Sequence, residues 1–124
     1  MKKVFLGIQI ISGLMLVVFG LNKFLQFIPM AAPAAEMGAY LGALGATGFV
    51  FPLIAVIEIV VGVAFVTDKY VALMVLFIAP VMVNAFLAHL FLDPSGIGGS
   101  AFIMLAIISI IVNHKERYAE VFRV

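Results

Sequence analysis

Three ionisable side chains stand in strongly apolar stretches of this sequence, where they could pair with one another, bind a polar ligand or exchange protons. Lys23 lies near the end of the first apolar run, Glu58 near the middle of the second, and His89 near the end of the third. Lysine and histidine can donate hydrogen bonds to a carbonyl oxygen, and a nearby carboxylate can exchange protons with such a ligand. An unpaired charge in the centre of a membrane costs about 3 kcal/mol, so each side chain is expected to have a partner.

The composition indicates the class of protein. Of the 124 residues, 66% are hydrophobic and 10% are charged, whereas soluble domains contain about 25% charged residues. A soluble protein of this length could not bury so much apolar surface. The chain is therefore predicted to be one integral membrane domain, residues 1–124, embedded in a lipid bilayer. Without cysteine it has no thiolate-bound metal or iron–sulfur cluster, and nothing in its charge of +1 predicts a nucleic-acid partner.

Four apolar runs are long enough, or nearly so, to cross about 30 Å of hydrocarbon as helices. They cover approximately residues 4–28, 48–66, 70–92 and 97–113. Every backbone polar group must be paired internally within lipid, which favours helices over open strands. The predicted fold class is therefore all-α, a four-transmembrane-helix bundle. The tail "NHKERYAEVFRV" is expected either to continue the last helix or to lie along the membrane interface.

The segment between the first two spans has two interpretations. The first is a short interfacial helix over residues 33–46, followed by Pro52 at the start or at a kink of the second span. The alternative is a cleaved secretory signal, because two lysines precede an apolar run and an Ala-Pro-Ala-Ala segment. We expect the interfacial helix, because the apolar run is longer than a signal sequence requires.

The positive charges predict the orientation. Lysine and arginine lie at residues 2–3, at residue 69 and in the 115–123 tail, whereas the loops 29–47 and 93–100 contain none. Both termini are therefore predicted to be cytoplasmic in a multi-pass protein. Lys23 is the basic residue that departs from this pattern.

The polar residues of the first three spans are predicted to meet in the outer half of the bundle. Lys23 and Glu58 differ in depth by roughly 7 Å at ~1.5 Å per residue. Side chains lean toward the N-terminus of their own helix, so these two lean toward each other, and His89 leans toward the same level. The predicted ligand pocket or buried ion-pair network has seven members: Lys23, Glu58, His89, Asn22, Gln26, Asn84 and Asp93.

Several of these residues also have structural interpretations. Asp93 begins the turn "DPSG", and Asn84 lies about 140° around the helix from His89, where an interhelical hydrogen bond is expected. His89 is interpreted as a hydrogen-bonded side chain and not as a metal ligand, because no second histidine or cysteine is near it. Ser109 and Asn113 are predicted to form interhelical hydrogen bonds.

Two patterns predict how the helices pack. Six residues of the first span follow the 3,4 spacing of a heptad seam and are expected to face the bundle interior: Gln9, Ser12, Leu16, Phe19, Lys23 and Gln26. Gly62 follows Glu58 by one helical turn and could let a neighbouring helix approach the carboxylate.

The sequence resembles the DoxX family of small four-helix bacterial membrane proteins over nearly its whole length. The resemblance is carried by "GLNKFL", "FPLIAVIEIVVGVAFVTDKY" and "APVMVNAFLAHLFLDPSGI". Gly20 with Lys23, and Glu58 with Gly62, match positions characteristic of that family. Many relatives have an arginine early in the first span, where this chain offers Gln9 instead, so the role of that arginine does not carry over.

The resemblance implies a bacterial inner-membrane protein that serves a redox or quinone-linked partner. The family takes its name from a membrane subunit linked to thiosulfate:quinone oxidoreduction. An accessory subunit without a built-in cofactor, able to bind a quinone but not an enzyme on its own, is the function expected. Two alternatives stay open: an assembly or scaffolding protein whose Lys23–Glu58 pair is structural, and a small-solute or proton-coupled transporter. A homo-oligomer is a further possible assembly, and a transporter of this size would require one.

Overall fold

The computed structural model describes residues 1–124 and contains five α-helices. They are α1 (Lys2–Leu25), α2 (Ala35–Ala46), α3 (Val50–Thr67), α4 (Val71–Leu92) and α5 (Ile97–Asn113), with 3₁₀ turns at Pro94–Gly96 and Lys115–Tyr118. There are no strands. Four segments, namely α1, α3, α4 and the turn with α5, are long and apolar enough to cross a membrane. The all-α, four-span prediction is confirmed, and the protein is a multi-pass membrane protein.

The four long helices form a ring in the order α1, α3, α4, α5. Each packs against its two neighbours, so α1 and α4 lie diagonally across the bundle. Side chains that are almost fully buried fill the centre, among them Leu16, Val61, Phe65, Ile78 and Ile103. Many large apolar side chains face outward instead, as expected where the surroundings are hydrocarbon and not water.

Helices α1 and α3 make the closest approach in the bundle, and glycines allow it. A Cβ atom added at Gly62 would lie 2.6 Å from the carbonyl oxygen of Gly13 and 2.9 Å from the amide nitrogen of Val17. A Cβ added at Gly13 would in turn lie 2.8 Å from the carbonyl oxygen of Gly62. The backbones therefore touch where the side chains are absent. The prediction that Gly62 lets a neighbouring helix approach is confirmed.

The ends of the helices follow local backbone chemistry. Gln26 and Asp68 adopt left-handed conformations, with φ of 49° and 56°, and cap α1 and α3. Pro52 lies in the first turn of α3, where its missing amide hydrogen costs least. The predicted helix between the first two spans is present as α2, starting two residues later than expected.

The tail does not continue α5, which ends at Asn113. The chain turns at His114, and Tyr118 is buried with its hydroxyl donating to the carbonyl oxygen of Ala72 at 2.8 Å. This hydrogen bond fastens the tail to the first turn of α4. Burial of Tyr118 raises the pKa of its hydroxyl above 10.0, against a smaller opposing effect of Arg117.

Candidate functional site

Lys23 and Glu58 form an ion pair between α1 and α3. Lys23 Nζ donates to Glu58 Oε2 at 2.7 Å, and the side chains are 27% and 6% exposed. The spacing of small residues brings them together. Gly20, three residues before Lys23, lies so close to α3 that an added Cβ would meet the carbonyl oxygen of Ala55 at 2.9 Å and Glu58 Cβ at 3.3 Å. The predicted contact between Lys23 and Glu58 is confirmed.

The ion pair leaves hydrogen-bonding capacity unused. Glu58 Oε1 has no partner within the protein, whereas every fully enclosed side-chain nitrogen or oxygen atom has one. Oε1 is therefore open to the surroundings. An ammonium group carries three donors, and Lys23 uses one of them for Glu58. The pair thus presents free donors beside a free acceptor, at the end of the bundle near α2, which we call the α2 end.

His89 and Asp93 form a second pair at the α2 end. His89 Nδ1 lies 3.3 Å from the backbone carbonyl oxygen of Asp93, and its ring packs against Gly96. No hydrogen bond or ion pair joins this pair to Lys23 or Glu58. The diagonal arrangement of α1 and α4 places His89 on a helix that does not pack against the helix of Lys23. Membership of His89 in the Lys23–Glu58 pocket stays a prediction.

Of the three remaining amides predicted at the α2 end, Asn84 and Asn22 make structural contacts and Gln26 does not. Asn84 Oδ1 accepts from the hydroxyl of Tyr40 at 2.9 Å, which confirms the expected interhelical bond. Asn22 Oδ1 accepts from the backbone N–H of Ile28 at 2.8 Å and thereby orders the chain after α1. Gln26 is exposed and forms no side-chain hydrogen bond, because α1 ends at Leu25 and the seam ends with it.

The seam prediction holds for the earlier part of α1. Gln9, Ser12 and Leu16 are buried, whereas Phe19 and Lys23 are half-buried. The prediction for Ser109 is wrong, because its hydroxyl donates to the carbonyl oxygen of Ala106 within α5 at 2.8 Å. A serine hydroxyl within a helix can donate its hydrogen bond to a backbone carbonyl oxygen of the preceding turn.

Asp93 confirms its expected role in the turn and adds one that sequence reasoning missed. Its Oδ1 accepts from the backbone N–H and the hydroxyl of Ser95, at 3.3 and 2.5 Å. Its Oδ2 accepts from the backbone N–H of Ala34 at 3.0 Å, which ties the start of α2 to the end of α4. The Ser95 side chain, followed by the Ala34 amide, lowers the pKa of the Asp93 carboxyl below 3.8.

A polar cavity of about 330 Å³ lies at the opposite end of the bundle, where α1 begins and α5 ends. We call it the termini-end cavity. It is lined by Lys2, Leu6, Gln9, Asp68, Asn113, His114, Glu116 and Arg117. Sequence reasoning assigned Gln9 to the seam and the charged residues to separate flanks. Charged residues occur before the first span, between the second and third spans and after the fourth span. This recurrence on one side of the membrane was the signal from which the cavity could have been predicted.

No group of three or more histidine, cysteine, aspartate or glutamate side chains is arranged to hold a metal ion. No protein-family model, curated protein or solved structure matches the chain. The resemblance to the DoxX family therefore stays a prediction, and function is inferred from the residues and their geometry.

Proposed function

We propose that this protein binds the head group of a quinone at the Lys23–Glu58 pair and serves as an accessory subunit of a membrane oxidoreductase. The observation that carries the proposal is the unused hydrogen-bonding capacity of a largely buried ion pair. Free donors on Lys23 Nζ stand beside the free acceptor Glu58 Oε1. A quinone needs a donor at its carbonyl, and a hydroquinone needs an acceptor for its hydroxyl.

The chemistry follows from the two states of the ligand. Reduction of a quinone to a hydroquinone takes up two electrons and two protons. Each carbonyl oxygen becomes a hydroxyl group, and the electrons come from a partner redox subunit. In this proposal Lys23 holds a quinone carbonyl oxygen. When the hydroquinone is oxidised again, its two electrons pass to the redox partner, Glu58 Oε1 takes the proton of one hydroxyl group, and the proton of the other hydroxyl group passes to water.

The surroundings of the pair suit a ligand that arrives through lipid. Lys23 is 27% exposed, and its neighbour Phe24 is 51% exposed. Phe27, at the same end of the bundle, is also about half exposed. An isoprenoid tail could therefore lie on apolar surface next to Lys23 while the head group contacts the ion pair.

We further propose that the protein lies in a bacterial inner membrane with both termini in the cytoplasm. Its lysines and arginines gather at the termini end, apart from Lys23. The same resemblance that suggests a quinone suggests a redox-enzyme subunit as the partner.

The test is calorimetric titration of the detergent-purified protein with a short-chain ubiquinone analogue. Glu58→Gln keeps the volume of the side chain and an acceptor for Lys23 but removes the charge. We expect affinity to fall about 10- to 100-fold, the effect of losing one hydrogen bond to a charged group. Glu36→Gln is the matched control, because Glu36 is an exposed acid of α2 without a hydrogen bond or ion pair. Equal affinity in all three proteins would refute the proposal.

A scaffolding function is the second candidate, and the low exposure of the Glu58 side chain, 6%, favours it. A buried pair that only holds helices together can be replaced by apolar side chains of similar volume. The double variant Lys23→Leu/Glu58→Leu would then keep its thermal stability, while each single substitution would lose about 3 kcal/mol or more. Under this function the titration shows no quinone binding even for the unaltered protein.

A further inference from the structure

The termini-end cavity has the charges of a binding site. Two cations, Lys2 and Arg117, and two acids, Asp68 and Glu116, line it. None of the four forms a salt bridge; the salt bridges of the protein are Lys23–Glu58 and Arg123–Glu120. These positive and negative side chains line one cavity without forming ion pairs with one another. They are therefore available to a ligand that carries both a positive and a negative charge.

Gln9 provides a buried polar group in the lining of this cavity. It is 4% exposed, and its amide nitrogen donates to the carbonyl oxygen of Phe65 at 3.0 Å and to Asp68 Oδ1 at 2.9 Å. Both of its protons are therefore used. Its Oε1 has no partner, and because no enclosed polar atom of the protein is unpaired, this oxygen is open to the cavity that Gln9 lines.

The helix ends add partial charges of both signs at the cavity. Helix α1 begins at Lys2, so its positive dipole end lies at the cavity. Helices α3 and α5 end beside Asp68 and Asn113, so their negative dipole ends lie there too. An anion is favoured near the start of α1 and a cation near the ends of α3 and α5.

We infer that the termini-end cavity binds a zwitterionic group in which a phosphate is joined to a primary ammonium. Lys2 and Arg117 contact the phosphate oxygens, and an arginine guanidinium can do so with two parallel hydrogen bonds. Asp68, Glu116 and Gln9 Oε1 accept from the ammonium. The volume of about 330 Å³ lies at the lower end of small-ligand pockets, roughly 300–1,000 Å³.

A primary ammonium is required because the acceptors need N–H donors. A quaternary trimethylammonium carries the same charge but no N–H, so it would leave the carboxylates and Gln9 Oε1 without hydrogen bonds. The cavity should therefore prefer phosphatidylethanolamine to phosphatidylcholine. This site is separate from the Lys23–Glu58 pair, so the inference does not depend on the proposed function.

The experiment is native mass spectrometry of the full chain in detergent with equal amounts of phosphatidylethanolamine, phosphatidylcholine and phosphatidylglycerol bearing the same acyl chains. We expect phosphatidylethanolamine to bind about tenfold more tightly than phosphatidylcholine, the effect of one charge-assisted hydrogen bond. A parallel competition with soluble glycerophosphoethanolamine distinguishes the source of the head group. Full competition at millimolar concentration identifies a free metabolite, and failure to compete identifies the membrane lipid.

Two variants test the two halves of the site. Asp68→Asn keeps the acceptor for Gln9, and asparagine tolerates the left-handed backbone with φ of 56°, so folding is preserved. Because Glu116 and Gln9 Oε1 remain as acceptors, it should weaken the preference for phosphatidylethanolamine over phosphatidylcholine without removing it. Arg117→Gln should weaken binding of all three lipids. Glu120→Gln is the control, because Glu120 is exposed and pairs with Arg123 outside the cavity.

Three outcomes would overturn the inference. The first is equal binding of phosphatidylethanolamine and phosphatidylcholine by the unaltered protein. The second is tighter binding of phosphatidylglycerol, which would indicate a site for anions alone. The third is an ethanolamine preference that is the same in Asp68→Asn as in the unaltered protein.

Discussion

At the scale of single residues, Asp93 shows how one carboxylate can hold two segments together. Its Oδ2 accepts from the Ala34 amide, and Oδ1 caps the turn that leads into α5. These hydrogen bonds favour the charged form and lower its pKa. Because the pKa is lowered, these hydrogen bonds stabilise the folded protein fully above pH 3.8, the pKa of the carboxyl in the unfolded chain. The stabilisation is lost as the pH falls through the lower pKa of the folded protein.

The prediction is a pH-dependent bond between Ala34 and Asp93. The Ala34 amide resonance in an NMR titration should shift with a midpoint below pH 3.8, because protonation of Asp93 weakens the hydrogen bond. In Asp93→Asn, which keeps an acceptor oxygen, the resonance should not titrate. A midpoint at or above 3.8 in the unaltered protein would contradict the contact.

At the scale of elements, the α1–α3 contact depends on glycine. Gly62→Ala would bring a Cβ within 2.7 Å of Val17 Cγ2 and 2.6 Å of the Gly13 carbonyl oxygen. Because the closest of these atoms belongs to the backbone, the helices must move apart, at a cost of about 1–3 kcal/mol. Reversible unfolding in mixed micelles measures this loss.

Gly7→Ala is the matched control for Gly62→Ala. Gly7 also lies within a helix, but no atom stands within 4 Å of an added Cβ. Alanine has the higher helix propensity, so this variant should be neutral or more stable by up to about 1 kcal/mol. A similar loss in both variants would show that close packing is not the cause.

Elements also mark how far the sequence could predict the site. The direction in which side chains lean and the depth of each residue were enough to predict the contact between Lys23 and Glu58. This worked because α1 and α3 are neighbours and run in opposite directions. The same reasoning cannot determine the order of helices around a ring. It therefore could not predict that His89 lies on a helix diagonal to the helix of Lys23. Gln26 followed the seam in sequence, but its own left-handed backbone conformation ends the helix at Leu25.

At the scale of the whole molecule, the two polar regions lie at opposite ends of a sealed core. Leu16 and Phe65 are fully buried and Val61 is 1% exposed. The contact between Gly13 and Gly62 closes the α1–α3 seam. Composition predicted the four spans, but the termini-end cavity arises from residues far apart in the chain and has no sequence motif.

The sealed core leads to a prediction against the transporter alternative. A single bundle offers no polar path between the Lys23–Glu58 pair and the termini-end cavity, and a charge in hydrocarbon costs about 3 kcal/mol or more. Liposomes that contain the protein as single bundles should therefore dissipate an imposed pH gradient no faster than empty liposomes. A pH-sensitive dye in the lumen measures the rate. Faster dissipation that is abolished by Glu58→Gln would contradict this expectation.

The glycine contact also bears on how the Lys23–Glu58 pair would meet a ligand. Because the backbones of α1 and α3 touch at Gly13, Gly20 and Gly62, the two helices should move as one rigid body. Lys23 and Glu58 both belong to that body, and their ion pair holds the two side chains together before any ligand arrives. Little conformational entropy is then lost on binding. The rate of association would be set by passage of the ligand through lipid and not by rearrangement of the protein.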